Sequence, residues 1–287
     1  MYLPIAVIQT CSSTSVDENI ACVENLIANA AEQGAKWVVL PEYWAIMGQN
    51  ETDKVKIAED FGNGRLQSVM SAFAKRFNIV LFGGTIPLKS GENGKVFNSL
   101  LTFDTMGECI YRYDKTHLFG FSGAGEKYSE ADTISYGEFI PQFQYNGIKI
   151  AQGICYDLRF PEFFRSQGIF DILILPAAFT ETTGKAHWTT LLKARAIENQ
   201  CFVIAAGQGG EHANGRRTFG HSIIIDPWGE ILAELDEETG VACVSLDLQK
   251  IKTVRRHLPS VTAGRTDYIK AKPFSGSLKV KGVKNYG

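Results

Sequence analysis

The chain reads as an α/β protein, a four-layer α-β-β-α sandwich of two mixed sheets. Three observations predict it. Short apolar runs alternate with segments of helical periodicity. Residues 99–108 and 222–230 share an order of Ser, apolar run, Asp, two residues, Gly and Glu, and both read as β-hairpins. No Pro/Ser-rich linker divides the 287 residues. Two similar halves imply two similar sheets, packed face to face with helices outside.

The run Met1-Tyr2-Leu3-Pro4-Ile5-Ala6-Val7-Ile8-Gln9 is a first strand. Ile20, Val23, Ile27 and Ala30 recur at helical spacing after the capping candidates Ser15 and Asp17, and Gly34 stops that helix before a strand over 36–40. Residues 65–77 repeat the helical pattern, 78–82 form a strand, and Gly83-Gly84 supplies a turn. In the second hairpin Pro227 suits the second position of a type I turn. Between the hairpins come a strand running to Cys155, a helix from Pro161, a strand over 172–175, a helix over 187–199 opened by His187, and a strand over 202–206. We expect one domain over 1–268. The tail, 269–287, has five lysines and no acid and reads as a mobile or subunit-contacting arm.

Composition narrows the function. With 29 basic and 31 acidic residues the net charge is −2, so nothing in the electrostatics calls for nucleic acid or an anionic membrane, and a small-molecule substrate is expected. The six cysteines are scattered, unlike a disulfide framework, and are read as reduced. The first residues carry no basic leader, and no apolar run approaches the ~20 residues that span a bilayer. A cytoplasmic protein is expected.

Three residues carry the chemistry. Cys155 stands where the run Ile150-Ala151-Gln152-Gly153-Ile154 breaks into a turn, Glu42 follows Val38-Val39-Leu40-Pro41, and Lys115 follows Tyr111-Arg112-Tyr113-Asp114. Each lies at the end of an apolar strand, and in open α/β sheets ligands bind outside the carboxyl ends of the strands. Thiol, carboxylate and ammonium supply a nucleophile, its base and an oxyanion partner, the set that amide hydrolysis needs. Taken singly each has an ordinary reading: a small buried hydrophobe, a loop carboxylate, a solvated strand end.

Joint occurrence in three extended contexts decides between these readings. Glu42, Lys115 and Cys155 in this order resemble the nitrilase superfamily of carbon–nitrogen hydrolases over nearly the whole chain to about Tyr268. Cys155-Tyr156-Asp157-Leu158-Arg159-Phe160-Pro161-Glu162, Pro176-Ala177-Ala178-Phe179-Thr180, Arg195-Ala196-Ile197-Glu198-Asn199-Gln200 and Asp226-Pro227-Trp228-Gly229 resemble the deaminated glutathione amidases and their omega-amidase relatives. The resemblance implies a nitrilase-like sandwich. It also implies a thioester mechanism on a linear, carboxylate-bearing amide with release of ammonia, deaminated glutathione leading, omega-amides of 2-oxo acids next and nitriles behind. It implies no metal or organic cofactor, and assembly as a homodimer or higher homo-oligomer. It calls for a second carboxylate, for which Glu130 occupies the matching place and Glu126 is the rival.

Four further residues are candidates for substrate binding. Tyr156 offers its backbone amide. Arg159 is placed to clamp a carboxylate or to pair with Glu162. Phe179 and Thr180 either line an acyl pocket or belong to core and loop. The histidines speak against other thiol enzymes, since none stands in a His-x-Glu or His-x-Asp pair, and they are too dispersed for a zinc signature. No Cys-x-x-Cys pair supports a redox role. A non-catalytic scaffold keeping the fold is the competing class, and it has no need of a thiol beside a base.

Overall fold

The computed structural model describes residues 1–123 and 125–262; the basic tail foreseen over 269–287 lies outside them. Two mixed sheets form the centre. In the first, Tyr2–Gln9 runs antiparallel to Gly240–Asp247 and parallel to Trp37–Val39, which runs parallel to Val80–Phe82. Val96–Phe103 then pairs antiparallel with Val80–Phe82, Ile86–Lys89 and Cys109–Asp114. In the second, Ile148–Gln152, Ile172–Ala177 and Phe202–Gly207 are parallel. Phe143–Tyr145 flanks them on one side, and Ile223–Ile225 followed by Ile231–Glu234 on the other, all antiparallel.

The period of two along each strand builds the layers. Ile5, Val7, Trp37, Val39, Val80 and Phe82 turn toward the second sheet and share one core with Ile150, Ile172, Ile174 and Ile204. Their neighbours Ala6, Ile8, Val38, Leu40 and Leu81 turn the other way, onto Val23, Ile27 and Ala30 of the helix Val16–Glu32 and Met70 and Phe73 of Arg65–Phe77. The helix Glu181–Asn199 brings Trp188, Leu192 and Ala196 to the core of the second sheet. Helix, sheet, sheet, helix is the order expected.

The two hairpin turns agree bond for bond. Asp104 Oδ1 accepts from the N–H groups of Met106 and Glu108, and Asp226 Oδ1 from those of Trp228 and Glu230. Gly107 and Gly229 close them at φ +81° and +88°, a region that glycine enters at little cost.

Several boundaries differ from the sequence reading. The helix expected from His187 begins at Glu181, capped by Thr180, whose Oγ1 accepts from Thr183 N–H at 3.3 Å; His187 lies inside it. The strand expected from residue 78 begins at Val80, because Asn78 is the left-handed cap of the preceding helix. In the first helix it is Asn19, bonded to the carbonyls of Ser13 and Ala45, that is buried beside Val23, while Ile20 is half-buried. The strand Gly240–Asp247 and the helix Gln249–His257 were not foreseen.

Candidate active site

Strand polarity gathers the site. Trp37–Val39 leads to Glu42, Cys109–Asp114 to Lys115 and Ile148–Gln152 to Cys155, so the four-carbon ammonium arm and the shorter thiol and carboxylate meet where the two sheets end. Lys115 Nζ lies 2.9 Å from Glu42 Oε1 and 2.7 Å from Glu130 Oε2. Asn98 Nδ2 donates to the same Glu42 Oε1 at 2.8 Å. Tyr43 Oη donates to Glu130 Oε1 at 2.9 Å, and Phe119 N–H to Glu130 Oε2 at 2.7 Å. Glu42, Lys115 and Cys155 are all buried. Glu130 thus stands beside Lys115, while the rival Glu126 opens the short strand Glu126–Ser129 four residues earlier, its backbone paired with Gly123.

Glu42 Oε2 is buried without a hydrogen-bond partner, and the Cys155 thiol lies close enough to act on the Glu42 carboxyl. Gly84 makes this packing possible. At φ +56°, a Cβ there would stand 2.1 Å from the carbonyl oxygen of Pro41, the residue before Glu42.

Burial and charge set the protonation states. Burial pushes the Glu42 carboxyl above the ordinary carboxylate range; Lys115 pulls it back and the like charge of Glu130 adds to the rise. For Glu130 burial acts the same way, but the charge and hydrogen bonds of Lys115 and the Phe119 N–H outweigh it and hold the carboxyl below its usual value. Burial alone would lower the Lys115 ammonium, and Glu130 and Glu42 together raise it instead. The Cys155 thiol is pushed well up, by burial first and Glu42 second, while Lys115 and the backbone N–H of Ala178 oppose the rise. The resting group therefore holds a charged lysine, a charged Glu130 and a protonated thiol beside a carboxyl of raised pKa.

Cys155 itself sits at φ +48°, a conformation that L-residues other than Asn and Asp seldom adopt. It opens a short 3-10 helix, Cys155–Arg159. Asp157 holds this turn: its carboxylate accepts from the N–H of Ile154 at 2.8 Å, from Tyr113 Oη at 2.7 Å and from His117 N–H at 3.0 Å. His117 Nδ1 is 2.7 Å from the same carboxylate, and its ring stacks on Phe160 with centroids 3.8 Å apart. A His–Asp pair thus exists in space although none exists in adjacent sequence. The charges acting on the thiol are Glu42, Lys115 and Glu130.

A cavity opens on the sulfur, lined by Phe119, Cys155, Tyr156, Arg159, Ala178, Phe179 and Thr180, with about 200 Å³ of empty space counting its open mouth. All four residues expected to bind substrate lie on it. Arg159 makes no ion pair with Glu162; its guanidinium lies 5.3 Å from the Phe179 ring centroid and 5.7 Å from that of Tyr156. Asn98, Tyr43 and Asp157 were not singled out from the sequence. Asn98 left one trace there, an amide inside an apolar strand, which a buried partner would explain. Among the described residues no cluster of His, Cys, Asp and Glu is arranged to hold a metal ion, and no helix is long and apolar enough to cross a membrane.

A sandwich of this kind, with thiol, carboxylate and ammonium at its strand ends, can be compared with known proteins. The model of the carbon–nitrogen hydrolase family matches residues 4–256. A deaminated glutathione amidase of Synechocystis sp. is 40% identical over 262 residues, covering 89% of this chain and 96% of that protein. The omega-amidase NIT2 of Danio rerio is 34% identical over 272 residues, covering 92% and 95%. The crystal structure of Saccharomyces cerevisiae Nit3, a member of branch 10 of the nitrilase superfamily, superposes with a TM-score of 0.82 at 28% identity, covering 93% of this chain and 97% of that one. The protein is thus an enzyme, a hydrolase acting on carbon–nitrogen bonds. The chain belongs to the carbon–nitrogen hydrolase family, as its motifs had indicated.

Proposed function

We propose that this hydrolase cleaves the amide of a linear 2-oxo dicarboxylic acid through a thioester on Cys155, with deaminated glutathione its leading substrate and omega-amides of 2-oxo acids the second. The observation that carries this reading is Arg159, a guanidinium on the wall of the Cys155 cavity that lies 3.3 Å from His187 Nδ1 and has no carboxylate partner among the described residues. Relatives that carry the names deaminated glutathione amidase and omega-amidase support the choice of acyl group.

Glu42 Oε2 takes the thiol proton as sulfur attacks the carbonyl carbon. The oxyanion is held by Lys115 and by the N–H of Tyr156, which stands in the first turn of its helix, where a backbone donor lacks an intrahelical acceptor. Collapse breaks the C–N bond, and the proton on Glu42 goes to the departing nitrogen. Water, deprotonated by Glu42, then attacks the thioester carbonyl; the C–S bond breaks, and the departing Cys155 thiolate recovers the proton from Glu42. The ammonia expected from the sequence departs only from a primary omega-amide; from deaminated glutathione, a secondary amide, the departing group is cysteinylglycine. The acyl-enzyme is the same in both cases, and so is the acid released, 2-oxoglutarate.

The test is release of 2-oxoglutarate from deaminated glutathione and from 2-oxoglutaramate by the protein and by Cys155→Ala. Higher kcat/KM on deaminated glutathione, abolished in the variant, is expected. Preference for 2-oxoglutaramate moves the substrate and keeps the mechanism; turnover undiminished in Cys155→Ala ends the mechanism and leaves the scaffold reading for the triad.

A cytoplasmic location suits a chemistry that depends on a reduced thiol. Self-association is supported by the exposed apolar side chains Ile197, Trp228, Ile231 and Leu232, with Ile197 packed close against the Gly229 turn. Light scattering that gives only monomer at micromolar concentration would count against it.

A further inference from the structure

The peptide unit between Glu42 and Tyr43 is held at both ends by buried side chains. Its N–H donates to Thr85 Oγ1 at 2.9 Å, and its carbonyl, that of Glu42, accepts from Gln208 Nε2 at 2.9 Å. Thr85 and Gln208 are both completely buried. Because the unit is planar, turning it changes ψ of Glu42 and φ of Tyr43 together.

That plane governs two contacts of the catalytic group. On one flank the Glu42 side chain is carried to Lys115, 2.9 Å away; on the other, Tyr43 Oη is carried to Glu130 Oε1, also at 2.9 Å. Tyr43 sits at φ +55°, a region that bulky L-residues seldom enter and keep only where their surroundings enforce it. The two buried hydrogen bonds are such an enforcement.

The two ends of the hold differ in origin. Thr85 stands just before Ile86–Lys89 of the first sheet, the sheet that delivers Glu42. Gln208 follows Phe202–Gly207 of the second, and its own N–H donates at 3.0 Å to the carbonyl of Ala177, next to Ala178, whose N–H bonds the Cys155 sulfur. Its amide is fixed in one orientation: Oε1 accepts from Ser12 N–H at 3.0 Å, and Nε2 donates to Ser12 Oγ at 2.8 Å as well as to Glu42. Ser12 Oγ in turn donates to the carbonyl of Trp44 at 2.9 Å. Gln208 therefore links the backbone beside the thiol to the backbone of the carboxylate.

We propose that Gln208 and Thr85 are positioning residues for the reaction, clamping the Glu42–Tyr43 peptide so that the Glu42 carboxyl stays turned to the sulfur of the opposite sheet. This inference rests on the proposed role of Glu42 as base, and assigns what aims it.

The experiment measures kcat and KM on 2-oxoglutaramate and deaminated glutathione, and the rate of iodoacetamide labelling at Cys155, well below Tm. The variants are Thr85→Val and Gln208→Met, which keep much of the shape and remove the hydrogen bonds, their double variant, Thr85→Ser and Glu42→Gln. In each single variant kcat and labelling should fall about tenfold or more while KM stays within about twofold, since aim is lost and binding is kept. Thr85→Ser, which keeps the hydroxyl, should restore most of the rate. The double variant should lose about as much as the worse single one, because both bonds hold one plane. Lowered Tm with kcat and labelling unmoved, or losses that multiply in the double variant, overturn the clamp. Wild-type turnover and labelling in Glu42→Gln overturn the base, and the clamp with it; a slow Glu42→Gln beside a fast Thr85→Val overturns the clamp alone. Should Gln208→Met fail to fold, Thr85→Val and its rescue by Thr85→Ser decide.

Discussion

Lys115 touches Glu42 at one oxygen only, Oε1, 2.9 Å away. Asn98 donates to that same oxygen, so Oε2 is the one left free to receive a proton. In the proposed mechanism this selects the atom of the base, and the raised pKa of Glu42 makes it a better proton acceptor than an ordinary carboxylate.

The first prediction concerns pH. Glu42 must be ionised to take the thiol proton, so kcat/KM falls as pH drops through its raised pKa. Glu130 pushes that pKa up by like charge. Glu130→Gln removes the charge, and the acid limb of the profile should move to lower pH while kcat falls through the loss of a Lys115 partner. A limb that stays in place, or moves up, contradicts the electrostatic account.

Asn98→Ala should do the opposite. Loss of a donor to the ionised carboxylate raises the Glu42 pKa further, shifting the acid limb to higher pH, with kcat/KM down about tenfold for a hydrogen bond of ordinary strength. A purely structural asparagine would lower stability and leave the limb where it is.

Labelling tests the thiol itself. Because burial and Glu42 hold the Cys155 proton on sulfur, iodoacetamide should modify it by a route that needs the base, and Glu42→Gln should slow the reaction by about a hundredfold or more. Equal labelling of wild type and variant, followed by mass spectrometry, would mean that the thiol ionises without Glu42.

Asp157→Ala addresses the turn that carries the sulfur. It strips acceptors from Ile154 N–H, Tyr113 Oη and His117 in a buried setting, at a cost of about 3 kcal/mol or more, which calorimetry would show as a fall of several degrees in Tm. Tm within a degree of wild type would remove Asp157 from this role.

How far these parts could be read in advance depended on the range of the interaction behind each. The helix Arg65–Phe77 matched its apolar spacing residue for residue, because its burial on the sheet is a local, periodic pattern. The first turns of Glu181–Asn199 were missed because Thr182, Thr183 and Gly184 carry no apolar stripe. Gly184 is there for closeness, since a Cβ would stand 2.3 Å from Phe219, a contact that sequence periodicity does not encode. Glu42, Lys115 and Cys155 stood out at strand ends, whereas the bond from Asn98 to Glu42 joins residues 56 apart and the bond from Tyr113 to Asp157 residues 44 apart. Such partners become visible only when two strands are laid side by side.

The strands that deliver Glu42 and Lys115 belong to one sheet, and those that deliver Cys155 and Ala178 to the other. Neither half holds a working centre. A newly made or partly unfolded chain is thus a string with six unremarkable thiols, harmless to the amides around it. Reactivity arrives with the closing of the two halves, so on refolding the return of hydrolysis should report docking of the sheets and trail the return of their secondary structure.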